Sequence, residues 1–240
     1  MKGISQCFLA WFIAGAAVAQ PTQVVVPNGL ATVEGNSSTS EPFTSQSFRF
    51  QQVFDASQFA FLGTTNIARI DGISFRIDGA STQNVSMSFG GSAAVLSTTP
   101  RSPDSLSPVF ADNRGLDAVT VWNGGLAVGG VARPGVMPQD WPFAGTIPTT
   151  AAFYYAPTMG NLILELAGVD GLAFRPGAMD GQSTMGDSIS WVFANSNLTP
   201  SGTPSTFGLV TRFDVTVIPE PTISALALIG LALLTILKRR

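Results

Sequence analysis

The chain has 240 residues, 45% of them hydrophobic and 11% charged, with one cysteine and no histidine. The missing imidazole excludes Ser-His-Asp and Cys-His catalysis and zinc sites of the usual His/Cys kind. Residues 20–218 contain eight arginines, no lysine and fourteen acidic residues, a formal charge of −6, which predicts no nucleic-acid partner and excludes Schiff-base catalysis by lysine.

The N-terminal segment has the organisation of a secretory signal peptide. Lys2 supplies the positive n-region, residues 8–18 form an apolar h-region, and Ala17 and Ala19 form an A-x-A cleavage site ahead of Gln20. The only cysteine would leave with this peptide, so no disulfide is predicted. We therefore predict a signal peptide over residues 1–19 and a single-domain body over residues 20–217.

The body consists of short β-branched and aromatic runs that alternate with turn residues, without a long run at helical spacing. Ile73, Phe75 and Ile77 alternate with Ser74 and Arg76, which predicts a half-buried strand. We predict nine or ten strands, the clearest of them over residues 24–26, 47–54, 67–77, 85–89, 118–122, 162–166, 189–193 and 207–217. This pattern predicts an all-β fold, an antiparallel β-sandwich that is jelly-roll-like.

The segments between these strands carry turn chemistry and little helix. One short helical turn is predicted near residues 57–62. Residues 97–108 and 130–148 are predicted to be exposed loops, because their prolines lack the N–H that a central strand needs. The Asp-Gly pairs at residues 170–171 and 180–181 are predicted to be hairpin turns.

A carboxylate pair, as in glycoside hydrolases, is the catalytic arrangement that the composition leaves open. The body has three glutamates, Glu34, Glu41 and Glu165. Glu165 stands between two leucines of a predicted strand and is expected to be a solvated strand residue. The spacing assigns no second acid to it, so catalytic residues are not predicted.

A calcium site is a further candidate, because oxygen ligands need no imidazole. Asp170, Asp180 and Asp187 are close in sequence, although their spacing does not match an EF-hand loop. The hairpin-turn interpretation of the Asp-Gly pairs is the alternative, so calcium is the single cofactor considered.

Aromatic side chains could bind a polysaccharide by stacking on its sugar rings. Trp141, Trp122 and Tyr154 are the candidate ligand-binding residues, and Tyr155 and Trp191 belong to the same set. Trp141 stands between an aspartate and a proline and is expected to be exposed. Core packing is the alternative for most of these rings.

The C-terminal segment predicts a membrane anchor. Pro219, Glu220 and Pro221 precede an apolar run of sixteen residues over 222–237, which is followed by the basic stop Lys238, Arg239 and Arg240. As a helix this run would extend about 24 Å, slightly less than the bilayer core of about 30 Å. The terminal cations would remain on the cytoplasmic side of the membrane.

This order of tripeptide, apolar span and basic end resembles the PEP-CTERM sorting signal of exported proteins from exopolysaccharide-producing bacteria. In that family a membrane-embedded, transpeptidase-like exosortase recognises the tripeptide and removes the tail. The resemblance implies a sorting signal over residues 218–240, a processing site at Pro219, Glu220 and Pro221, and an exosortase-type partner. It also implies an inner-membrane-anchored precursor that is passed on to the cell envelope or extracellular matrix.

Four body segments, residues 51–57, 73–76, 155–165 and 208–213, resemble PEP-CTERM passenger proteins of unassigned activity. This resemblance implies no catalytic residues. We therefore expect a non-catalytic envelope or matrix protein, structural or adhesive within an exopolysaccharide. The alternatives are a carbohydrate-binding module, with or without calcium, and a carboxylate-dependent glycoside hydrolase.

Overall fold

A computed structural model describes residues 19–44, 47–136 and 143–219. The predicted signal peptide, apart from Ala19, and the apolar tail lie outside these residues. Within them, no helix is long and apolar enough to cross a membrane.

The described residues form thirteen strands that pair only in antiparallel fashion. The strands are β1 (Gln20–Val26), β2 (Ser37–Thr39), β3 (Phe48–Phe54), β4 (Ile67–Arg76), β5 (Val85–Thr99), β6 (Val119–Gly130), β7 (Phe143–Tyr155), β8 (Asn161–Pro176), β9 (Met179–Ser183), β10 (Ile189–Ala194), β11 (Thr203–Ser205), β12 (Phe207–Leu209) and β13 (Thr211–Ile218). Short 3₁₀ turns lie at Asn28–Leu30, Ala56–Leu62, Phe110–Asn113 and Pro157–Met159. The predicted antiparallel β fold is confirmed.

These strands form three sheets. The four-stranded sheet has the order β1-β13-β4-β7, the six-stranded sheet has the order β11-β10-β3-β8-β5-β6, and the small sheet has the order β12-β9-β2. One apolar core lies between the two larger sheets. The rings of Phe54 and Phe213 meet across it at 4.9 Å, and those of Phe50 and Phe75 at 6.4 Å. Both pairs have the edge-to-face geometry that aromatic rings prefer.

Seven of the eight predicted strand runs fall inside observed strands to within one residue, and the predicted turn near residues 57–62 is confirmed. The run 207–217 is not one strand: it divides into β12 of the small sheet and β13 of the four-stranded sheet, so the strands number thirteen and not nine or ten. Asp55 caps that turn, because its side chain accepts a hydrogen bond of 2.9 Å from the Ser57 N–H. The alternation predicted for the last strand is also present. Thr211, Phe213 and Val215 are buried, whereas the residues between them are partly exposed.

Three predictions about loops and turns are wrong. Strand β5 continues to Thr99, and β7 begins at Phe143 and contains Pro148, so both predicted loops are shorter than expected. Pro148 is tolerated because β7 is an edge strand of its sheet. The Asp-Gly pairs at 170–171 and 180–181 lie inside β8 and β9 and are not hairpin turns, with Asp170 in the left-handed region at φ +54°.

The strand β4 is not half-buried as predicted. The inner-face residues Ile73 and Phe75 are buried, as is Ile77 just beyond the strand, but Ser74 and Arg76 on the other face are buried as well, and Arg76 is only 1% exposed. Arg76 contacts backbone of the segment 30–35 and a side chain of β9, so these two elements cover the outer face of the sheet. The outer face of β4 is therefore buried by segments that are far from it in the sequence.

Candidate functional site

The two ends of the folded body lie side by side. Strands β1 and β13 are neighbours, and their antiparallel register pairs Gln20 with Val217. Ala19 is exposed and Pro219 is half-buried directly beyond these two positions. Ala17, Glu220, Pro221 and the cluster Lys238, Arg239 and Arg240 lie outside the described residues. Where the chain is described, it therefore enters and leaves the four-stranded sheet at the same end.

The sequence-predicted aromatic residues do not come together on one strand or one sheet. Trp122 lies on β6 of the six-stranded sheet, where it packs against the core and its indole N–H donates to the Ser92 hydroxyl at 3.3 Å. Tyr154 lies on β7 of the four-stranded sheet and is 50% exposed. Trp141 lies outside the described residues. Tyr155 is a core residue, as the packing alternative expected, and burial raises the pKa of its hydroxyl.

The three aspartates considered for calcium also have separate partners. Asp180 is buried against Arg76. Asp187 accepts hydrogen bonds from the N–H groups of Thr184 and Ile189, at 3.2 and 2.9 Å, and burial raises its pKa. Asp170 faces Gly90 across the β5–β8 pair. Within the described ranges, no three acidic side chains group closely enough to hold a metal ion.

Glu165 is buried and not solvated, which corrects the expectation from sequence. It is 5% exposed and lies on the outer face of the six-stranded sheet. Its Oε1 atom accepts from Arg49 Nε at 2.9 Å and from Arg114 Nη2. Its Oε2 atom accepts from Gln51 Nε2 at 2.6 Å and from Arg114 Nε at 2.7 Å. Both carboxylate oxygens thus accept two hydrogen bonds each, three of the four from arginine N–H groups, which are the stronger, charge-assisted kind.

We define the Glu165 cluster as Glu165, Arg49, Arg114 and Gln51. It attaches the loops that contain Phe110 and Thr199 to the six-stranded sheet. Gln51 Nε2 donates to the Phe110 carbonyl at 2.9 Å, and the Arg49 guanidinium lies over the Phe110 ring at 4.6 Å. Arg49 Nη1 also donates to the Thr199 carbonyl at 3.3 Å. These contacts give the cluster a structural role, because each group binds another part of the same chain.

A second buried ion pair closes the outer face of the four-stranded sheet. Arg76 Nε donates to Asp180 Oδ2 at 2.7 Å, and its other nitrogens donate to the carbonyls of Leu30 and Val33, the latter at 2.7 Å. The Gly35 N–H donates to Asp180 Oδ1 at 3.1 Å. Burial raises the pKa of Asp180 to about 6, against the opposing influence of Arg76.

An open cleft beside β10 and β11 has the composition of a binding surface. We call it the β10–β11 trough; it has a volume of about 690 Å³. Among its lining residues are Trp191, Phe193, Asn195, Thr199, Thr203 and Ser205. A concave site that combines aromatic rings with a few polar groups is typical of ligand-binding pockets.

The sequence contained part of the signal for this trough. Trp191 and Phe193 alternate within a correctly predicted strand, and a segment rich in Asn, Ser and Thr follows at 195–206. The trough is also lined by the short edge strand β11, whose pairing with β10 is a tertiary contact that the local pattern does not show.

Comparison with known proteins assigns no family, because no protein-family model matches the chain and no curated protein matches it.

Proposed function

We propose that this chain is an exported, non-catalytic protein of the cell envelope or extracellular matrix, sorted through its C-terminal signal. Its role is structural or adhesive within an exopolysaccharide matrix. Its partners are an exosortase-type enzyme, the membrane before processing, and the polysaccharide. We further assign the paired four- and six-stranded sheets to a jelly-roll-like β-sandwich.

The register of β1 and β13 supports this proposal most directly. The body begins at Gln20, the residue after the proposed signal-peptide cleavage site, and its last strand ends at Ile218, the residue before Pro219. Both proposed processing points therefore flank one folded unit. Removal of the two hydrophobic ends would leave the paired strands intact.

The residues at the end of β13 also suit an accessible processing site. Pro219 cannot donate a backbone hydrogen bond, so the ladder with β1 and β4 cannot continue through it. Each proline of the tripeptide also biases its predecessor toward extended geometry, which favours a chain that leaves the sheet. An extended, unpaired segment is what a processing enzyme can bind.

The buried environment of Glu165 supports a non-catalytic body. Two arginines and one amide donate to both of its carboxylate oxygens, so both oxygens are engaged within the chain and are not directed at a substrate. A glycoside hydrolase that used Glu165 would need a second carboxylate at about 5–10 Å from it. The groups that contact this carboxylate are two guanidinium groups and one amide.

We expect replacement of Pro219, Glu220 and Pro221 by alanine to block removal of the tail. In a host with an exosortase, intact-mass measurement should find the parent product without residues 222–237 and the triple variant with them, in the membrane fraction. Pro134→Ala, at an exposed proline outside the motif, is the matched control and should be processed normally.

Two results would contradict the sorting proposal. One is normal removal of the tail from the triple variant. The other is a parent product that still carries Leu237 in a soluble cytosolic fraction.

Carbohydrate binding, with or without calcium, is the second candidate function, and the β10–β11 trough is the observation that favours it. The trough combines two aromatic rings with hydroxyl and amide groups on one open surface. Such a surface would allow an adhesive matrix protein to hold a polysaccharide.

A further inference from the structure

We propose that the β10–β11 trough binds a neutral polysaccharide segment without a metal ion. This inference deepens the second candidate function and rests on the proposed extracellular location. It assigns the ligand to Trp191, which belongs to the aromatic set singled out from the sequence, and to Phe193, which does not. Trp141, Trp122 and Tyr154 are not part of this site.

The two rings form the apolar part of the trough. Trp191 and Phe193 lie two residues apart on β10, so their side chains point to the same side of the strand. Their ring centroids are 6.0 Å apart, with an angle of 34° between the ring planes. Two neighbouring rings at a shallow angle offer an apolar platform, and the C–H groups on one face of a pyranose ring can pack on it.

The platform is held from behind and is therefore already formed before a ligand binds. Trp191 packs edge-to-face against Phe50 at 5.6 Å and contacts Phe207 at 4.4 Å. Both Trp191 and Phe193 remain partly exposed on the trough side. A preformed site loses less side-chain entropy when it binds a ligand.

The polar part of the trough contains no charge. Asn195, Thr199, Thr203 and Ser205 contribute amide and hydroxyl groups, and none of the described residues lining the trough is acidic or basic. Such groups both donate and accept hydrogen bonds, as sugar hydroxyls do. A uronic acid or an amino sugar would find no counter-charge here, which favours a neutral glycan.

The edge of the sheet argues against a peptide strand as the occupant. β11 is an edge strand of only three residues, and its central residue is Pro204. Proline and short length both oppose the addition of another β-strand. The open shape of the trough suits a glycan chain that passes across the rings.

Thr203→Glu tests this site without touching the rings that support the core. Thr203 is exposed, so the substitution should leave folding intact while it places a carboxylate in the trough. Thr120→Glu, at an exposed threonine on β6 at the opposite edge of the same sheet, is the matched control. Thermal unfolding of both variants should match that of the parent.

The probes are neutral hexasaccharides of glucose, mannose, galactose and xylose, with oligogalacturonate as the charged comparator. Calorimetric titration of the full chain in mild detergent should give a dissociation constant below about 1 mM for at least one neutral glycan. We expect Thr203→Glu to weaken that binding by at least about tenfold, because burial of an unpaired carboxylate is unfavourable. Thr120→Glu and added chelator should leave it unchanged.

Four outcomes would overturn the proposal. They are no measurable binding of any neutral probe, binding by Thr203→Glu as tight as by the parent, loss of binding with chelator, or tighter binding of oligogalacturonate than of the neutral glycans. None of them affects the sorting proposal, whose measurement is the mass of the processed chain. Conversely, failure of tail removal would leave the binding result intact and would remove only the matrix location on which its meaning depends.

Discussion

Replacement of Arg76 by methionine should lower the free energy of unfolding by about 3–5 kcal/mol at pH 7, because it leaves Asp180 buried without its cation. Arg76 is 1% exposed and Asp180 is fully buried, so water cannot replace the lost partner. Methionine also fails to donate to the carbonyls of Leu30 and Val33, which Arg76 holds over the sheet. Their lost hydrogen bonds add to the penalty.

The loss of stability caused by Arg76→Met should be smaller at acidic pH. In the parent protein the pKa of Asp180 is raised from 3.8 to about 6, so the stability that its protonated form contributes is present below about pH 4 and is lost as the pH rises through 6. Arg76 acts to lower that pKa, and its removal should raise the pKa further. The variant should therefore lose more stability than the parent between pH 4 and pH 7.

Urea unfolding at pH 4.5 and pH 7.5 measures both effects. Arg69→Met is the matched control on the same strand, because Arg69 pairs with Asp71 at the surface, where ion pairs contribute little. A double variant with Arg76→Met and Asp180→Asn should recover part of the loss, since it removes both charges. Equal stability of the Arg76 and Arg69 variants would show that the buried pair does not hold this face.

The strands could be predicted because the alternation of apolar and polar residues that marks a strand is visible in the local sequence. In the last strand, Phe213 and Val215 alternate with partly exposed residues, and the period of two is visible without any tertiary contact. The same reasoning failed at Arg76 and Glu165, whose strands show the same alternation. A charged residue on the outer face is expected to be solvated unless another segment covers it.

The segments that cover Arg76 and Glu165 show little hydrophobic periodicity of their own. The segment 30–35 lies over Arg76, and the segment 107–114 lies over Glu165, where the Asn113 amide donates to Gln51 and to the Ser107 carbonyl. The contacts of Arg76 with Val33 and of Asn113 with Gln51 join residues far apart in the chain, so composition and periodicity cannot show them. Buried charges were therefore found only from the structure.

The lengths of the longest strands were underestimated for a related reason. β5 and β8 run for 15 and 16 residues, yet the sequence interpretation ended them near their glycines. In the structure both strands continue past this point: Gly90 faces Asp170 with the β5–β8 register unchanged, and the β5–β6 register shifts between Phe89 and Ser92. Glycine inside a strand can mark such an irregularity as well as a turn.

Glu165→Gln should lower the free energy of unfolding by about 2–4 kcal/mol, the largest effect expected on the six-stranded sheet. The amide keeps the shape of the side chain but replaces one acceptor oxygen by a donor. Arg49 and Arg114 donate to Oε1, and Gln51 and Arg114 donate to Oε2, so either orientation places an N–H₂ group against a donor. The effect is below that of Arg76→Met because Arg114 is a third exposed and can regain water.

The regions of the chain that lose stability in Glu165→Gln distinguish a structural role of Glu165 from a catalytic one. If the Glu165 cluster fastens the loops, amide hydrogen exchange should accelerate at residues 107–114 and 199–202, where Phe110 and Thr199 contact Arg49. Glu34→Gln, at an exposed glutamate, is the matched control and should change neither stability nor exchange. A variant that unfolds like the parent but loses a polysaccharide-hydrolysing activity of the parent would overturn the structural assignment. Loss of stability without such an activity places Glu165 among the residues that hold the fold.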